Sequence, residues 1–319
     1  MTTPIRMAVV GAGIMGTNHA RVAKLLPGVE LVAVADPDLA KARAAAGTLG
    51  ARAVASVGEL AGELDAAIIA VPTALHVDTA LALIDDGVHV LVEKPLAANA
   101  ADARKIVDAA AARGLVLAVG HIERFNAAVA ELGRLLDHPI HIEASRISPY
   151  SSRIADGVIF DLMIHDIDIV CSLAGPDARA VNVSGVARAT KGQTEDVASV
   201  TVQFSTGLTA AFNTSRLGQQ KIRTIEITQA ESTVMADLVR QDITVHRMSH
   251  HEYLTDQGAR YRQSSVIEIP FLESRGEPLA LELAHFVECI RTGASPRVDG
   301  AAGIRAIELA QWATEAVAR

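Results

Sequence analysis

Apolar positions in the first 120 residues fall into short, almost unbroken runs: IRMAVV (5–10), ELVAVA (30–35), DAAIIAV (65–71), HVLV (89–92) and LVLAVG (115–120). Between them lie HARVAKLL, LAKARAAAGTL, HVDTALALIDDG and NAADARKIVDAAAARG, where apolar residues return at helical spacing. Asn99 is placed to cap the last of these helices and Gly114 to end it. Strands apolar on both faces, alternating with helices, require a parallel sheet covered on both sides. Residues 1–122 are therefore expected to form a doubly wound α/β domain with a Rossmann-type sheet.

The alternation stops after residue 122. A helix pattern, ERFNAAVAELGRLL (123–136), leads to the strand IHIEASRI (140–147), the loop SPYSSRIADG and a helix over 158–175, VIFDLMIHDIDIVCSLAG. Strands of period two follow: AVNVSGVARA, DVASVTVQFS, LTAAFNTS, KIRTIEITQA, STVMADLV, DITVHRM and SSVIEIP. Amphipathic helices are expected near 279–291 and 301–317. Residues 123–319 thus read as an α+β domain with a largely antiparallel open sheet flanked by helices, serving substrate binding and oligomerisation. A cofactor domain joined to such a sheet places the substrate in the cleft between them. A broad sheet face suggests a homo-dimer or homo-tetramer.

Composition narrows the function. Of 319 residues, 50% are hydrophobic and 21% charged, which describes a compact chain, and a net charge of −8 argues against a nucleic-acid partner. The longest uncharged stretch, ASVTVQFSTGLTAAFNTS (198–215), is too polar to span a membrane and reads as two strands. MTTPIRMAVVGAG lacks the basic-then-apolar layout of a signal peptide. Cys171 and Cys289 sit in apolar stretches without CxxC spacing, as reduced core thiols do. A cytoplasmic protein is expected. His246, His250 and His251 lack zinc-site spacing, so no metal is expected.

The first strand runs into GAGIMG (11–16), and Asp36 stands twenty residues after Gly16, at the end of the second strand. Gly11 permits the tight turn, Gly13 lets a pyrophosphate approach, and Gly16 lets helix and strand pack closely. The pyrophosphate would rest on the N–H groups around Ile14 and Met15. A carboxylate at Asp36 accepts bonds from both adenosine ribose hydroxyls and repels a 2′-phosphate, and neither Pro37 nor Asp38 supplies a cation. NAD is favoured over NADP. The competing reading makes Asp36 a cap of the next helix.

In VEKPL (92–96), Lys94 follows the strand end where open α/β sheets bind ligands. Lysine there can hold a substrate oxygen and stabilise a developing alkoxide. Glu93 can face a nicotinamide carboxamide, and Pro95 fixes the backbone. A solvated charge pair fits the position equally well. In DLMIH, Asp161 and His165 are four residues apart and share one face of a regular helix, as a general base and its orienting carboxylate do. The alternative is a polar stripe with Asp166 and Asp168. Arg124, Arg146, Tyr150 and Arg153 can hold a phosphorylated substrate or serve as surface ion pairs.

GAGIMG, VPTALH (71–76), VHVLVEKPL (88–96), DLMIHDID (161–168) and EPLALELAHFVECI (277–290), in this order, resemble the glucose–fructose oxidoreductase / inositol dehydrogenase / MocA family. The resemblance implies a sugar or cyclitol dehydrogenase in which Lys94 and His165 meet over the nicotinamide, with a cis peptide before Pro95. It adds Thr73 and His76 to the cofactor contacts. VGHIERFNAAV (119–129), SPYSSRIADGVIFDLMIHDID (148–168) and IRTIEITQAESTVMADL (222–238) resemble UDP-N-acetylglucosamine 3-dehydrogenases, implying oxidation at C3 of the sugar. Asn126 then joins Arg124, Arg146, Tyr150 and Arg153 on the substrate side. Pro72-Thr73 and Val158-Ile159 depart from the family pattern and leave the pocket shape open. So does the identity of the formal base, because Lys94, His165 and Asp161 titrate together. Also open are a cyclitol or free-sugar dehydrogenase, an NAD-tethered lyase or glycosidase without net redox, and a non-catalytic NAD-binding regulator.

Overall fold

The computed structural model describes residues 3–151, 156–255, 258–273 and 276–318, and the side chains of 250–262 lie outside that description. The chain folds into two compact units: Met1–Phe125 with Gly276–Glu308, and Asn126–Arg275 with Leu309–Arg319.

The first unit holds a six-stranded sheet of β1 (Ile5–Val10), β2 (Val29–Ala35), β3 (Arg52–Val54), β4 (Ala66–Ile69), β5 (His89–Glu93) and β6 (Leu117–Gly120). The order 3-2-1-4-5-6 and parallel pairing throughout make it doubly wound, as the apolar runs require. α1 (Ile14–Leu25), α2 (Leu39–Ala46), α3 (His76–Asp85) and α4 (Ala100–Ala112) connect the strands. Asn99 caps α4 by accepting the Asp102 N–H at 2.9 Å, and Gly114 lies just past its end with φ +63°.

The second unit carries an eight-stranded sheet of β7 (His141–Ile147), β8 (Ala180–Arg188), β9 (Val197–Phe204), β10 (Thr209–Ser215), β11 (Ile222–Thr228), β12 (Ser232–Asp237), β13 (Asp242–Thr255) and β14 (Gly258–Glu268). Every pairing is antiparallel except β7 with β10. Strict alternation of buried and open positions along β9 gives the sheet one core face. α5 (Ala127–Leu135) and α6 (Ile164–Ala174) contact that sheet. Cys171 and Cys289 are free and buried. His246 sits on β13, while the side chains of His250 and His251 lie outside the description.

The boundary expected near residue 122 is corrected for the tail. α7 (Pro278–Thr292) belongs to the first unit, and α8 (Gly300–Val317) begins in it and ends in the second. Leu279, Leu283, Phe286 and Val287 of α7 share one core with Ala20 and Ala23 of α1 and Leu91 of β5. An amphipathic pattern shows that a helix buries a stripe; it does not say against which unit.

Arg146 is corrected as a phosphate ligand. On β7 it shares the buried parity of Ile142 and Ala144, and it is 0% exposed. Its guanidinium grips Asp166 of α6 through Nε at 2.9 Å and Nη2 at 2.7 Å. Breaking such a buried pair leaves an uncompensated charge. Arg146→Met is expected to lose about 3–5 kcal/mol in urea denaturation, and Arg146→Met with Asp166→Leu to recover most of it.

Candidate active site

A groove of about 1390 Å³ opens at the carboxyl ends of β1, β2, β4 and β5, lined by Gly11, Gly13, Ile14, Met15, Asp36, His76, Glu93 and Lys94 among others. Its first wall is the glycine turn. Gly11 has φ +101°, and a Cβ there would stand 2.4 Å from the Ala70 carbonyl oxygen. Gly16 does not line the groove; its Cβ would meet the Gly11 oxygen at 1.8 Å, so it sets the approach of α1 to β1. A Cβ on Gly13 would meet nothing within 4 Å, which leaves its side of the turn open for a ligand. Gly13 precedes α1 without a side-chain cap, and no acid sits in the first turn. The free N–H groups and the helix dipole there suit a pyrophosphate.

Asp36 is not the cap of the next helix. Asp38 is, accepting from Ala40 N–H at 3.0 Å and Lys41 N–H at 3.3 Å. Asp36 instead accepts the N–H of Ala12 and of Asp38, both at 2.8 Å, which ties the glycine turn to the end of β2 and fixes the carboxylate on the groove. The donor set fits NAD: a carboxylate for the ribose, an uncapped helix end for the pyrophosphate, and space at Gly13. Lys41 also lines the groove, and its Nζ lies 3.7 Å from Asp38. It was missed in the sequence although it falls in the first turn of the helix that Asp38 caps.

The other wall is the β5 end. The Lys94–Pro95 peptide is cis. His76 is buried with Nδ1 2.9 Å from the Pro95 carbonyl and Nε2 2.9 Å from the Val71 carbonyl, so it braces the turn. Burial lowers its pKa even though the Val71 and Pro95 carbonyls favour the protonated ring. Thr73 stands on the short turn Thr73–Leu75 before α3. Glu93 turns its carboxylate toward the protein: Oε1 lies 2.7 Å from His19 Nε2, and Oε2 accepts the Lys94 N–H at 3.2 Å. Burial pushes the Glu93 carboxyl up, but the His19 hydrogen bond and charge, with Lys94, hold it below its ordinary value. His19 is fully buried and was missed in the sequence, where it shares the small-residue face Gly16, Ala20 and Ala23 of α1.

The second motif lies in the other unit. α6 is preceded by a wide turn, Ile159–Met163, in which the Ile164 N–H reaches the Ile159 carbonyl five residues back. Such π turns recur at functional sites. The face shared by Asp161 and His165 was inferred for a regular helix, whereas Asp161 stands in the wide turn and His165 in α6. Asp161 Oδ2 and His165 Nδ1 are both shut off from solvent. A buried clamp holds the chain before this turn. Arg216 donates to Asp196 at 2.6 Å and to the Asp156 carbonyl at 2.6 Å, and Glu195 accepts the Ile159 N–H at 3.2 Å.

Of the substrate-side residues, Asn126 is corrected: it caps α5 through Ala128 N–H at 3.1 Å and donates to the Leu238 carbonyl at 2.8 Å, leaving it buried. Arg124 lies half-buried in the turn after β6, and Tyr150 is exposed after β7. Arg153 lies outside the described residues.

Residues 5–121 match the family model described as an oxidoreductase family NAD-binding Rossmann fold, and residues 149–319 the same family's C-terminal alpha/beta domain. The chain belongs to the Gfo/Idh/MocA oxidoreductases. Its relatives include a UDP-N-acetylglucosamine 3-dehydrogenase of Acidithiobacillus ferrooxidans, 30% identical and matched over 96% of this chain and 95% of that one. A solved structure of that enzyme superposes with a TM-score of 0.88 at 29% identity, covering 99% of this chain and 98% of the other. A scyllo-inositol 2-dehydrogenase (NAD(+)) of Bacillus subtilis is 30% identical over 93% and 90% of the two chains. A gentamicin A biosynthesis protein solved with NAD shares the fold, with a TM-score of 0.82 at 24% identity over 100% and 95% of the chains. As a Gfo/Idh/MocA oxidoreductase with this groove, the protein takes NAD as its cofactor.

The two glycines separate folding from binding. Gly13→Ala has room for its methyl and is expected to melt within about 2 °C of wild type, yet to raise the Kd for NAD at least about tenfold in calorimetry. Gly16→Ala forces helix and turn apart and is expected to lower both melting temperature and affinity.

Proposed function

We propose that the protein oxidises a secondary hydroxyl of a sugar to a ketone, with C3 of UDP-N-acetylglucosamine as the preferred substrate position. The observation that carries this reading is the match along almost the whole of both chains to the UDP-N-acetylglucosamine 3-dehydrogenase, with Lys94 at the β5 end of the groove.

The chemistry that bound NAD supplies is acceptance of hydride from the carbinol carbon. The chain's own groups handle the oxygen and the proton. Lys94 holds the substrate oxygen as a nearby cation and favours its deprotonation. His165, oriented by Asp161, accepts the hydroxyl proton as general base. Glu93 fixes the backbone on which Lys94 stands, and His76 fixes the turn after it. Thr73 and the glycine turn complete the cofactor side. With Arg146 and Asn126 committed to the fold, the diphosphate falls to Arg124, Tyr150 and Arg153.

A second reading has its own support. The Bacillus subtilis cyclitol dehydrogenase matches at the same identity over nearly the same span, and a cyclitol needs no diphosphate site. Both readings fit a cytosolic homo-oligomer associating through the open sheet face, where Met235, Met248 and Ile267 are exposed. No helix among the described residues is long and apolar enough to cross a membrane.

The test is NADH formation, followed by absorbance, with UDP-N-acetylglucosamine beside myo- and scyllo-inositol and with a ketone trap present. Turnover of the nucleotide sugar is expected, falling about 10²–10⁴-fold in both Lys94→Ala and His165→Ala while NAD still binds. Turnover confined to the cyclitols would establish the second reading instead. A Lys94→Ala enzyme that keeps most of its rate would overturn the mechanism.

A further inference from the structure

Three ionisable side chains gather behind β5: His19 from α1, Glu93 from the strand end and Glu282 from α7. Side chains alternate along a strand, so Glu93 shares the face of Leu91, which packs with Leu279, Leu283 and Phe286 of α7. Glu282 lies three residues after Leu279 and four before Phe286, on the same buried stripe. The neighbouring strand places Gly120 opposite Glu93, and a Cβ there would come 2.9 Å from Glu93 Oε2. The carboxylate occupies the space that any larger residue would take.

Glu282 is 2% exposed, both its carboxyl oxygens are sealed from solvent, and neither has a hydrogen-bond partner among the described residues. An ionised carboxylate without a partner in such a site is strongly disfavoured. Glu93 differs in having His19 and the Lys94 N–H to hold it.

We propose that Glu282 is a positioning residue for the Glu93–Lys94 pair: it remains a neutral carboxyl, so that Glu93 alone carries the charge directly behind Lys94. Burial pushes the Glu282 carboxyl well above its ordinary value, and the charge of Glu93 pushes it the same way. The elements packed on α7 carry His19 and Lys24 on α1 and Glu123 and Arg124 in the turn after β6, and α7 itself carries His285, Glu288, Cys289 and Arg291. Arg21 of α1 is turned to Glu277. Ionising Glu282 would set two negative charges side by side and loosen Glu93 from the Lys94 N–H, so that the lysine loses its fixed bearing on the substrate oxygen. The proposal rests on Lys94 as the group that holds the substrate oxygen.

The first readout needs no substrate. A carboxyl whose folded pKa is raised binds more protons folded than unfolded, so its burden on stability grows as pH rises above its unfolded value of 4.5. Glu282→Gln lacks that burden. Its melting temperature minus that of wild type, both as free protein, is expected to increase from about pH 5 to about pH 9. A difference independent of pH would overturn the neutral carboxyl. The second readout is kcat against pH for the oxidised substrate. Glu282→Gln is expected to turn over within about twofold of wild type at neutral pH and to extend its alkaline limb to higher pH. Superimposable profiles would overturn the positioning role even if the melting test succeeds. Glu282→Met, neutral and of similar length, gives the same readouts should the glutamine variant fold poorly. Absence of turnover by wild type on every sugar and cyclitol would count against the functional reading and leave the melting test intact.

Discussion

A carboxylate buried at the end of a parallel strand has to be satisfied on all sides, and the first unit is arranged around one. Leaving Glu93 ionised away from water is costly unless hydrogen bonds replace its hydration. His19 supplies one from a helix that also carries the glycine turn, and the Lys94 N–H supplies another. The space it needs is provided by Gly120 on the next strand. α1 therefore answers to two demands: Gly16 sets its distance from the sheet, and His19 sets its rotation and register. α7 closes the same core although it is nearly two hundred residues away in sequence.

The second unit solves the corresponding problem with a different pair. Arg146 and Asp166 are both inside, and their two-point contact leaves little rotational freedom between β7 and α6. Arg216 and Asp196 do the same for the chain leading into the wide turn. The Lys191 and Thr190 N–H groups converge with Arg216 on Asp196 and hold its carboxyl far below the usual range despite burial. Replacing buried ion pairs with apolar residues often leaves stability unchanged or improved. Their use here is better explained by orientation than by stability.

The parts of this arrangement that were legible in the sequence are those governed by local rules. Apolar runs gave the parallel strands, glycine spacing gave the turn, and the distance from Gly16 to Asp36 marked a carboxylate that stands on the groove. β3 escaped because three residues, Arg52–Val54, carry no period. Regular helical spacing was assumed for Asp161 and His165, and the wide turn at Ile159–Met163 is a backbone choice that side-chain pattern does not encode. Arg146 was read by its charge, as a surface or ligand residue, when its parity with Ile142 and Ala144 already placed it inside. His19 was overlooked for the converse reason: a polar residue on a small-residue face looks like an interruption until its partner, seventy-four positions away, is known. Non-local pairing of buried charges is what a single sequence withholds.

In both units the residue with proposed chemistry is the immediate neighbour of an anchored buried charge. Glu93 precedes Lys94, and Asp166 follows His165. Lys94 leaves the strand directly after Glu93, so anchoring Glu93 fixes the backbone from which the lysine departs. On a helix, neighbours are separated by about 100°, so clamping Asp166 against Arg146 sets the bearing of His165 to within the play of one side chain. Reactive groups must be held to a fraction of an ångström while remaining free to exchange protons. Tethering the reactive side chain itself would occupy the donor or acceptor it needs. Tethering the next residue along adds a constraint that acts through the backbone.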